Sequence, residues 1–271
     1  MCNVLGVSRS GLYKWLKESP ERGRQKRERL EKITQVHSKG RGTYGSPRVL
    51  EELRKQGINY NHKSVENLMR QNGLRSKQSK KFKATTNSKH KLQVSENVLE
   101  RDFNKTRANQ AWVTDITYLW TDEGWLYLVV FIDLWSRKVV GWSISERMQS
   151  EFVGEAFLMA CGRRNMPLPD LLVHSDRGSQ YASDLFKKIL AEKICKQSMS
   201  RKGNCWDNAV AESFFGSLKK ELVHHVRFTN REQARAAIFD YIEIFYNRIR
   251  IHSSLNYLTP EEFEQKMETA A

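Results

Sequence analysis

Three closely spaced strand-forming segments constrain the fold of this chain of 271 residues most strongly. Residues 112–120 are mainly β-branched and aromatic, residues 126–134 form a nearly continuous apolar run, and residues 139–144 repeat the strand pattern. The Asp-Glu-Gly sequence at residues 122–124 is typical of a hairpin turn. Because strands joined by such short connections pair with their neighbours, we expect three antiparallel strands.

Helical and strand patterns alternate in the rest of the chain. The apolar spacing predicts helices over residues 151–164 and 183–190, strands over 171–175 and 194–199, and further helices over 206–223 and 231–248. A sheet built in this order is mixed and has helices on its faces. We therefore predict an α/β fold with a mixed sheet and flanking helices, in an order compatible with a ribonuclease-H-like fold.

Positive charge is concentrated in the first part of the chain. Residues 1–107 carry 26 basic and 10 acidic side chains, a net charge of +16, whereas residues 108–271 carry 20 and 21, a net charge of −1. A basic surface attracts polyanions, so nucleic acid is the expected partner and an anionic membrane surface is a distant second. A solubilising face or a disordered arm is the alternative explanation. Since no apolar run is long enough to span a membrane and no signal peptide is present, we expect an intracellular, soluble protein.

Residues 1–20 have the pattern of a partial helix-turn-helix, in which Gly6 makes a turn and Ser8 caps a helix. The apolar side chains expected to face inward are Leu12, Trp15 and Leu16. The side chains expected to face a DNA groove are Arg9, Ser10, Tyr13 and Lys14. An ordinary amphipathic helix explains the same residues.

Residues 25–75 predict a second, helix-turn-helix-like DNA-binding region. Pro47 opens a helix that Gly57 ends, and Asn61 or Ser64 starts the next one. The inward-facing residues of the two helices are Val49, Leu50, Leu53, Val65, Leu68 and Met69. Residues 76–107 follow as a basic linker, which either tracks a phosphate backbone or is simply solvated. Its candidate DNA contacts are Lys80, Lys81 and Lys83.

Three acidic residues of the near-neutral part, residues 108–271, are candidates for catalysis. Asp115 interrupts an apolar strand, Asp176 ends a buried strand, and Glu212 lies on a helix. Carboxylate oxygens are the ligands that hard cations prefer, so three converging carboxylates are suited to a pair of Mg²⁺ ions. Taken singly, each is more typical of a strand edge or a cap. Lys219 follows Glu212 by seven residues and shares its helix face.

Four sequence blocks resemble those of a known family. They are Trp112–Tyr118, His174–Tyr181, Gly203–Phe215 and the residues Tyr246, Asn247, Arg250, His252, Ser253 and Leu255. In this order they resemble the OrfB catalytic protein of IS-three-family insertion-sequence transposases, whose core is similar to retroviral integrase. The resemblance implies that Asp115, Asp176 and Glu212 form a DDE triad and that Lys219 lies against DNA. Arg250 is a further candidate DNA contact.

The resemblance also implies an activity and partners. A DDE transposase cleaves DNA at the element ends and transfers strands by in-line attack of a DNA 3′-hydroxyl, using two Mg²⁺ ions, for which Mn²⁺ can substitute. The expected partners are the terminal inverted repeats, target DNA, further copies of the chain, and an OrfA product or an OrfA–OrfB fusion, with no membrane. The truncated appearance of residues 1–17 agrees with a missing upstream part. We expect a cytoplasmic, nucleoid-associated bacterial protein.

Two alternatives remain open at this point. A metal nuclease of the ribonuclease-H-like fold would cleave without joining strands, but it has no need of the basic helical region. A non-catalytic DNA-binding regulator would use residues 1–90 and leave the three carboxylates unexplained.

Overall fold

The structure is a computed structural model that describes residues 2, 4, 6, 8–77, 93–165, 169–201 and 205–269. The chain divides into two compact units, Met1–Lys77 and Gln78–Ala271. Among the residues described, no helix combines the length and the apolar character needed to cross a membrane.

Unit 1 is a group of three helices, α1 (Arg9–Lys39), α2 (Ser46–Lys55) and α3 (His62–Gln71). Ser8 caps α1 by accepting a hydrogen bond from the Gly11 N–H at 3.0 Å. Asn61 caps α3 in the same way with the Lys63 N–H at 2.9 Å. The buried apolar side chains are Ile33, Val36, Tyr44, Val49, Leu50, Leu53, Val65, Leu68 and Met69. This set contains every residue of α2 and α3 that the sequence predicts to face inward, so that prediction is confirmed.

The predicted partial helix-turn-helix at residues 1–20 requires correction. Helix α1 runs without interruption through the expected boundary near residue 20, with Pro20 inside it. Trp15 and Leu16 do not face inward, since they are 54% and 51% exposed. The physical reason is that the buried apolar residues of α1, Ile33 and Val36, lie in its last turns. The first turns of the helix extend beyond this core.

Unit 2 contains a mixed sheet of five strands in the order β3-β2-β1-β4-β5. The strands are β1 (Ala111–Thr121), β2 (Gly124–Asp133), β3 (Val139–Ser145), β4 (Leu172–Ser175) and β5 (Lys196–Met199). Strands β1, β2 and β3 pair antiparallel, whereas β4 runs parallel to β1 and to β5. The three antiparallel strands and the mixed sheet are as the sequence predicts.

Helices cover both faces of this sheet. They are α4 (Ser150–Arg163), α5 (Asp184–Glu192), α6 (Ala209–Glu221), α7 (Arg231–Phe239) and α8 (Pro260–Glu268). A 3₁₀ turn, Cys205–Asn208, precedes α6, and α7 continues as a π-helical segment, Asp240–Tyr246. Helices α4 and α5 pack on one face of the sheet, and α6, α7 and the π-helical segment pack on the other. The approach of α4 is so close at Gly141 that a Cβ atom there would lie 2.2 Å from the Ala156 carbonyl oxygen.

The predicted basic linker, residues 76–107, is not a linker throughout. Its candidate contacts Lys80, Lys81 and Lys83 lie outside the described residues. From residue 93 onward, however, the segment packs against the edge strand β5. Leu99 is 2% exposed. The Ser198 hydroxyl accepts hydrogen bonds from the Leu99 N–H at 3.1 Å and from the Val98 N–H at 2.9 Å. The Met199 N–H donates to the Glu96 carbonyl at 3.2 Å. Buried Leu99 and these hydrogen bonds hold a segment that is polar in composition against the sheet.

Side chains also cover backbone groups of the opposite edge strand, β3. The Asn247 amide accepts from the Val139 N–H and donates to the Val139 carbonyl, both at 3.0 Å. Arg235 donates to the Ile144 carbonyl at 2.8 Å. At these positions the polar backbone of the edge is satisfied within the chain.

Candidate active site

Strand pairing brings two of the predicted acidic residues together. Strand β4 is registered with β1 only as far as Val113, which lies opposite His174. Two residues further along the two parallel strands come Asp115 and Asp176, so continuation of this register sets the two carboxylates side by side. Both are half-buried. Strand β4 ends here while β1 continues, and both aspartates lie at the point where the pairing of the two strands stops.

Helix α6 supplies the third acidic residue. Glu212 is exposed in its first turn. Asn208, which precedes the helix, donates its side-chain N–H to the Thr114 carbonyl at 2.9 Å, one residue from Asp115. This bond ties the start of α6 to β1 and keeps Glu212 near the two aspartates. Asn208 is 3% exposed and its Oδ1 has no hydrogen-bond partner, so a polar acceptor is left open beside the carboxylates.

The charges of the three acids act on one another. Burial raises the pKa of Asp115 well above its usual value, and the charges of Asp176 and Glu212 raise it further. The Ile116 N–H, which donates to Asp115 Oδ1 at 2.8 Å, and the charge of Lys219 oppose this rise. Burial also raises the pKa of Glu212, again with a contribution from Asp176. The structure thus concentrates negative charge that repels itself at this point.

The donor set fits a divalent cation chemically. It consists of carboxylate oxygens whose mutual repulsion a cation would relieve. Yet among the described residues no three His, Cys, Asp or Glu side chains are already grouped to hold a metal ion. One Asp115 oxygen accepts the Ile116 N–H, and Asp176 Oδ1 accepts the Gly178 N–H at 2.9 Å. Side-chain rotation is therefore needed before all three carboxylates meet at one ion.

Lys219, on α6, lies close to β1. Its Nζ is 5.4 Å from the centre of the Tyr118 ring. Burial lowers the pKa of Lys219, and the charge of Asp115 opposes this effect. The charge of Lys219 thus acts on Asp115, and its predicted contact with DNA stays a prediction.

Comparison with known proteins decides the family. Models of the integrase core domain match residues 105–205 and 212–267, and a model of an HTH-like domain matches residues 24–82. Transposase InsF for insertion sequence IS3A of Escherichia coli strain K12 is 47% identical over 269 residues, which cover 98% of this chain and 93% of that protein. The chain belongs to the IS-three family of insertion-sequence transposases.

One further relative agrees with this assignment, and one solved structure shows the fold. An uncharacterised 31 kDa protein of insertion element IS600 from Shigella sonnei is 46% identical to the transposase and covers 98% of both chains. A simian T-cell lymphotropic virus intasome chain, solved in complex with a PP2A regulatory subunit, superposes with a TM-score of 0.50 at 16% identity, covering 86% of this chain and 74% of that one. The latter shows the fold alone, and the predicted ribonuclease-H-like architecture is confirmed.

The transposase is a polynucleotidyl transferase of the DDE class, and it binds DNA. A nuclease that does not join strands is not favoured, because the near full-length relative with an assigned activity is a transposase. The hypothesis of a non-catalytic regulator is wrong for the same reason.

Arg250, a predicted DNA contact, is a structural residue of the transposase. It is 6% exposed, and its guanidinium donates to both carboxylate oxygens of Glu221 at 2.8–3.0 Å and to the Ser217 hydroxyl at 3.2 Å. Burial by itself lowers the pKa of Arg250, but the hydrogen bonds and charge of Glu221 outweigh burial and raise it. Because Glu221 closes α6, this buried ion pair anchors the carboxyl end of the helix that carries Glu212 and Lys219.

Sequence reasoning missed the buried cluster around Asp207. The fully buried carboxylate of Asp207 accepts from the Arg201 backbone at 2.9 Å, from the Arg201 guanidinium at 2.9 and 3.0 Å, from Arg101 at 2.7 Å and from Asn97 at 3.0 Å. The hydrogen bond from the Arg201 side chain is the largest cause of its lowered pKa. This cluster joins the segment before α6 to residues 93–107. The signal in the sequence was its position five residues before Glu212.

His174 beside Asp176 is held in a neutral state. Its Nδ1 lies 2.8 Å from the Ser198 hydroxyl and its Nε2 lies 3.2 Å from the Ser200 hydroxyl. Burial lowers the pKa of His174 to about 4, against the opposing charge of Asp207. Both ring nitrogens have partners within the fold, which agrees with a residue that orients the Asp176 loop.

The predicted DNA contacts of unit 1 lie on the first turns of α1. Arg9, Ser10, Tyr13 and Lys14 are exposed there, and their role stays a prediction. Sequence reasoning missed a groove of about 500 Å³ between α1 and α3. Its lining residues are Arg22, Gln25, Lys26, Arg29, Ser64, Asn67, Leu68 and Gln71. Three of these eight are basic and none is acidic, so the groove suits a phosphate backbone.

Proposed function

We propose that the transposase uses Asp115, Asp176 and Glu212 to cleave DNA at the ends of its insertion sequence and to transfer those ends to target DNA. The observation that carries this proposal is the convergence of acidic side chains from β1, the end of β4 and the start of α6, where burial and then the charge of Asp176 raise the pKa of both Asp115 and Glu212. Such a cluster is costly to a fold unless a cation binds there, which makes it a candidate functional site.

The chain contributes ligands and position. Asp115 and Asp176 would hold divalent ions, and Glu212 would complete the set from α6 by rotation of its exposed side chain. Two Mg²⁺ ions held there, or Mn²⁺ in their place, would supply Lewis-acid chemistry that favours ionisation of an attacking water or DNA 3′-hydroxyl and stabilises the leaving oxygen. Lys219 would contact a phosphate next to the reacting bond. His174 would not act as the general base, because hydroxyl partners occupy both of its ring nitrogens and its lowered pKa makes it a weak base.

In each step, one oxygen attacks phosphorus in line with the oxygen that leaves. In cleavage, water attacks the phosphodiester at the element end and a DNA 3′-hydroxyl departs. In strand transfer, that 3′-hydroxyl attacks a target phosphodiester, and the 3′-oxygen of the target strand departs. No covalent protein–DNA intermediate is needed. Cleavage converts the phosphodiester directly into a 5′-phosphate and a 3′-hydroxyl, and strand transfer converts one phosphodiester directly into another.

The partners follow from this role. Unit 1 and the basic residues near it would bind the terminal inverted repeats, while the catalytic unit receives target DNA. Two element ends must be held together, so several copies of the transposase would assemble on DNA. An OrfA product or an OrfA–OrfB fusion is the proposed partner for end recognition. The protein would act in the bacterial cytoplasm, at the nucleoid.

A strand-transfer assay on labelled terminal-repeat DNA tests the catalytic assignment. Asp176→Asn and Glu212→Gln should reduce cleavage and joining to background while leaving DNA affinity unchanged, since phosphate contacts elsewhere supply binding. Asp184→Asn is the matched control, because Asp184 is an exposed acid at the start of α5. Full strand transfer by either triad variant in Mg²⁺ would refute the assignment.

A further inference from the structure

An aromatic ladder, defined here as Tyr118, Trp120 and Trp125, covers one face of the β1–β2 hairpin. Trp120 and Trp125 are directly paired across the two strands. The ring centres of Trp120 and Trp125 are 4.8 Å apart, and those of Tyr118 and Trp125 are 5.1 Å apart, both in edge-to-face contact. The three rings therefore form one continuous surface.

The two tryptophans are exposed to a degree that the fold does not explain. Trp120 is 55% exposed and Trp125 is 45% exposed. Neither is part of the two apolar cores on the faces of the sheet. Adjacent, exposed and rigid aromatic rings on a structured hairpin are typical of a binding surface. In an edge-to-face pair, moreover, the ring that presents its edge keeps its faces clear of the other.

The ladder lies further along β1 than Asp115, and because side chains alternate along a strand its two β1 rings are on the opposite face of β1 from Asp115. Tyr118 follows Asp115 by three residues and Trp120 follows it by five, which corresponds to about 10 and about 17 Å along β1. Lys219 lies between the two, with its Nζ 5.4 Å from the centre of the Tyr118 ring and its charge acting on Asp115. A DNA strand that leaves the carboxylates past Lys219 would reach the rings within a few nucleotides.

We propose that the aromatic ladder is a stacking subsite for unpaired bases of the DNA strand that passes Lys219 from the reacting phosphodiester. The proposal rests on the catalytic function proposed above. Unpaired bases are the occupant because their faces are open to aromatic rings, whereas the faces of paired bases are covered by their neighbours in the duplex. Lys219 supplies the positive charge that a phosphate of the strand requires. A second protein surface packed on the ladder would have to cover this lysine and the acids beside it, so DNA is the better occupant.

DNA binding by the full chain in EDTA tests the subsite without catalysis. Fluorescence anisotropy compares a blunt terminal-repeat duplex with the same duplex carrying a short unpaired extension, tried at either strand end. The wild type should prefer one extended duplex. Trp120→Ala and Trp125→Ala should each weaken binding to it by about 5- to 150-fold, the usual range for one stacked base, and leave the blunt duplex unaffected.

Conservative variants separate stacking from apolar burial. Trp120→Phe keeps a ring and should retain most of the preference, whereas Trp120→Leu keeps apolar area without a ring and should lose it. Phe239→Ala is the control, because Phe239 is a 51% exposed aromatic residue on α7 and should affect neither probe. Thermal unfolding of each variant establishes that it is folded.

Any of three results with the variants would overturn the proposal. The first is binding by Trp120→Leu that equals that of the wild type. The second is equal weakening of binding to the blunt and the extended duplex by the Ala variants. The third is a loss of self-association of the Ala variants in sedimentation, because the ladder would then be a contact between copies. Failure of the catalytic assignment is seen separately. Strand transfer by Glu212→Gln would refute that assignment, whereas the absence of any preference for extended DNA, with Glu212→Gln inactive, would refute only the subsite.

Discussion

Replacement of Arg250 by Met distinguishes a residue that holds the fold from one that holds DNA. Met retains much of the apolar stem and removes the guanidinium. Glu221 is only 9% exposed, and it would keep the Tyr241 hydroxyl at 2.8 Å as a donor while losing its counter-charge. The variant therefore leaves an uncompensated carboxylate in the core.

The expected loss of stability is large. Removing one partner of a buried ion pair costs about 3–5 kcal/mol. For a unit the size of residues 78–271, each kcal/mol lowers the Tm by about 2–4 °C, so Arg250→Met should lower it by about 6–20 °C. The double variant Arg250→Met/Glu221→Gln should recover most of this loss, because no charge is stranded and the glutamine still accepts from the Tyr241 hydroxyl.

The assay combines thermal unfolding by circular dichroism with DNA binding at several salt concentrations. Arg248→Met is the matched control, since Arg248 is 57% exposed in the same segment and pairs with Glu261 at 3.2 Å. That surface pair should be worth about 0–1 kcal/mol. A lost phosphate contact lowers the slope of log affinity against log salt by about 1, and Arg250→Met should leave this slope unchanged. An unchanged Tm with a reduced slope would refute the reasoning and return Arg250 to the DNA-binding surface.

Three further predictions concern packing, charge and DNA. Gly141→Ala should destabilise the transposase by about 1–3 kcal/mol in denaturant unfolding, because its Cβ would collide with the Ala156 carbonyl; an unchanged midpoint would contradict the close approach of α4. The raised pKa of Asp115 means that the native state retains a proton that the unfolded state has already lost. In EDTA, the Tm of the wild type should therefore fall relative to that of Asp115→Asn as the pH rises above about 4. Addition of Mg²⁺ at neutral pH should raise the Tm of the wild type more than the Tm of Asp115→Asn. Parallel curves of Tm against pH for the two proteins would count against the charged cluster. Arg22→Gln and Arg29→Gln in the α1–α3 groove should each lower the salt slope of DNA binding by about 1, and unaltered slopes would exclude the groove as a phosphate site.

Features set by neighbouring residues were accessible from the sequence. The hairpin at residues 122–124 and the cap at Asn61 depend on residues a few positions apart, and both occur as expected. Asp115 was conspicuous because a carboxylate interrupts an apolar strand. The side-by-side placement of Asp115 and Asp176 follows from two parallel strands, once their order in the sheet is known.

Features set by distant partners were not accessible. Arg250 looks like a surface residue in a basic segment, yet its partner Glu221 lies 29 residues away in sequence. Asp207 depends on Arg101, 106 residues away. Trp15 has the spacing of an inward-facing residue of an amphipathic helix. That spacing does not indicate whether another helix lies opposite Trp15 to bury it. In each case the missing information is tertiary contact, which local patterns do not contain.

The satisfied edges of the sheet limit how copies of the transposase can meet. Asn247 and Arg235 occupy backbone groups of β3, and the segment before β1 bonds to β5 at the opposite edge. A strand from another polypeptide would have to displace these contacts before it could lengthen the sheet. Proteins that gather at high local concentration on two DNA ends are exposed to such strand-to-strand fusion, which is a route to aggregation. In the proposed assembly on DNA, copies of the transposase would therefore meet through side-chain surfaces rather than by joining their sheets.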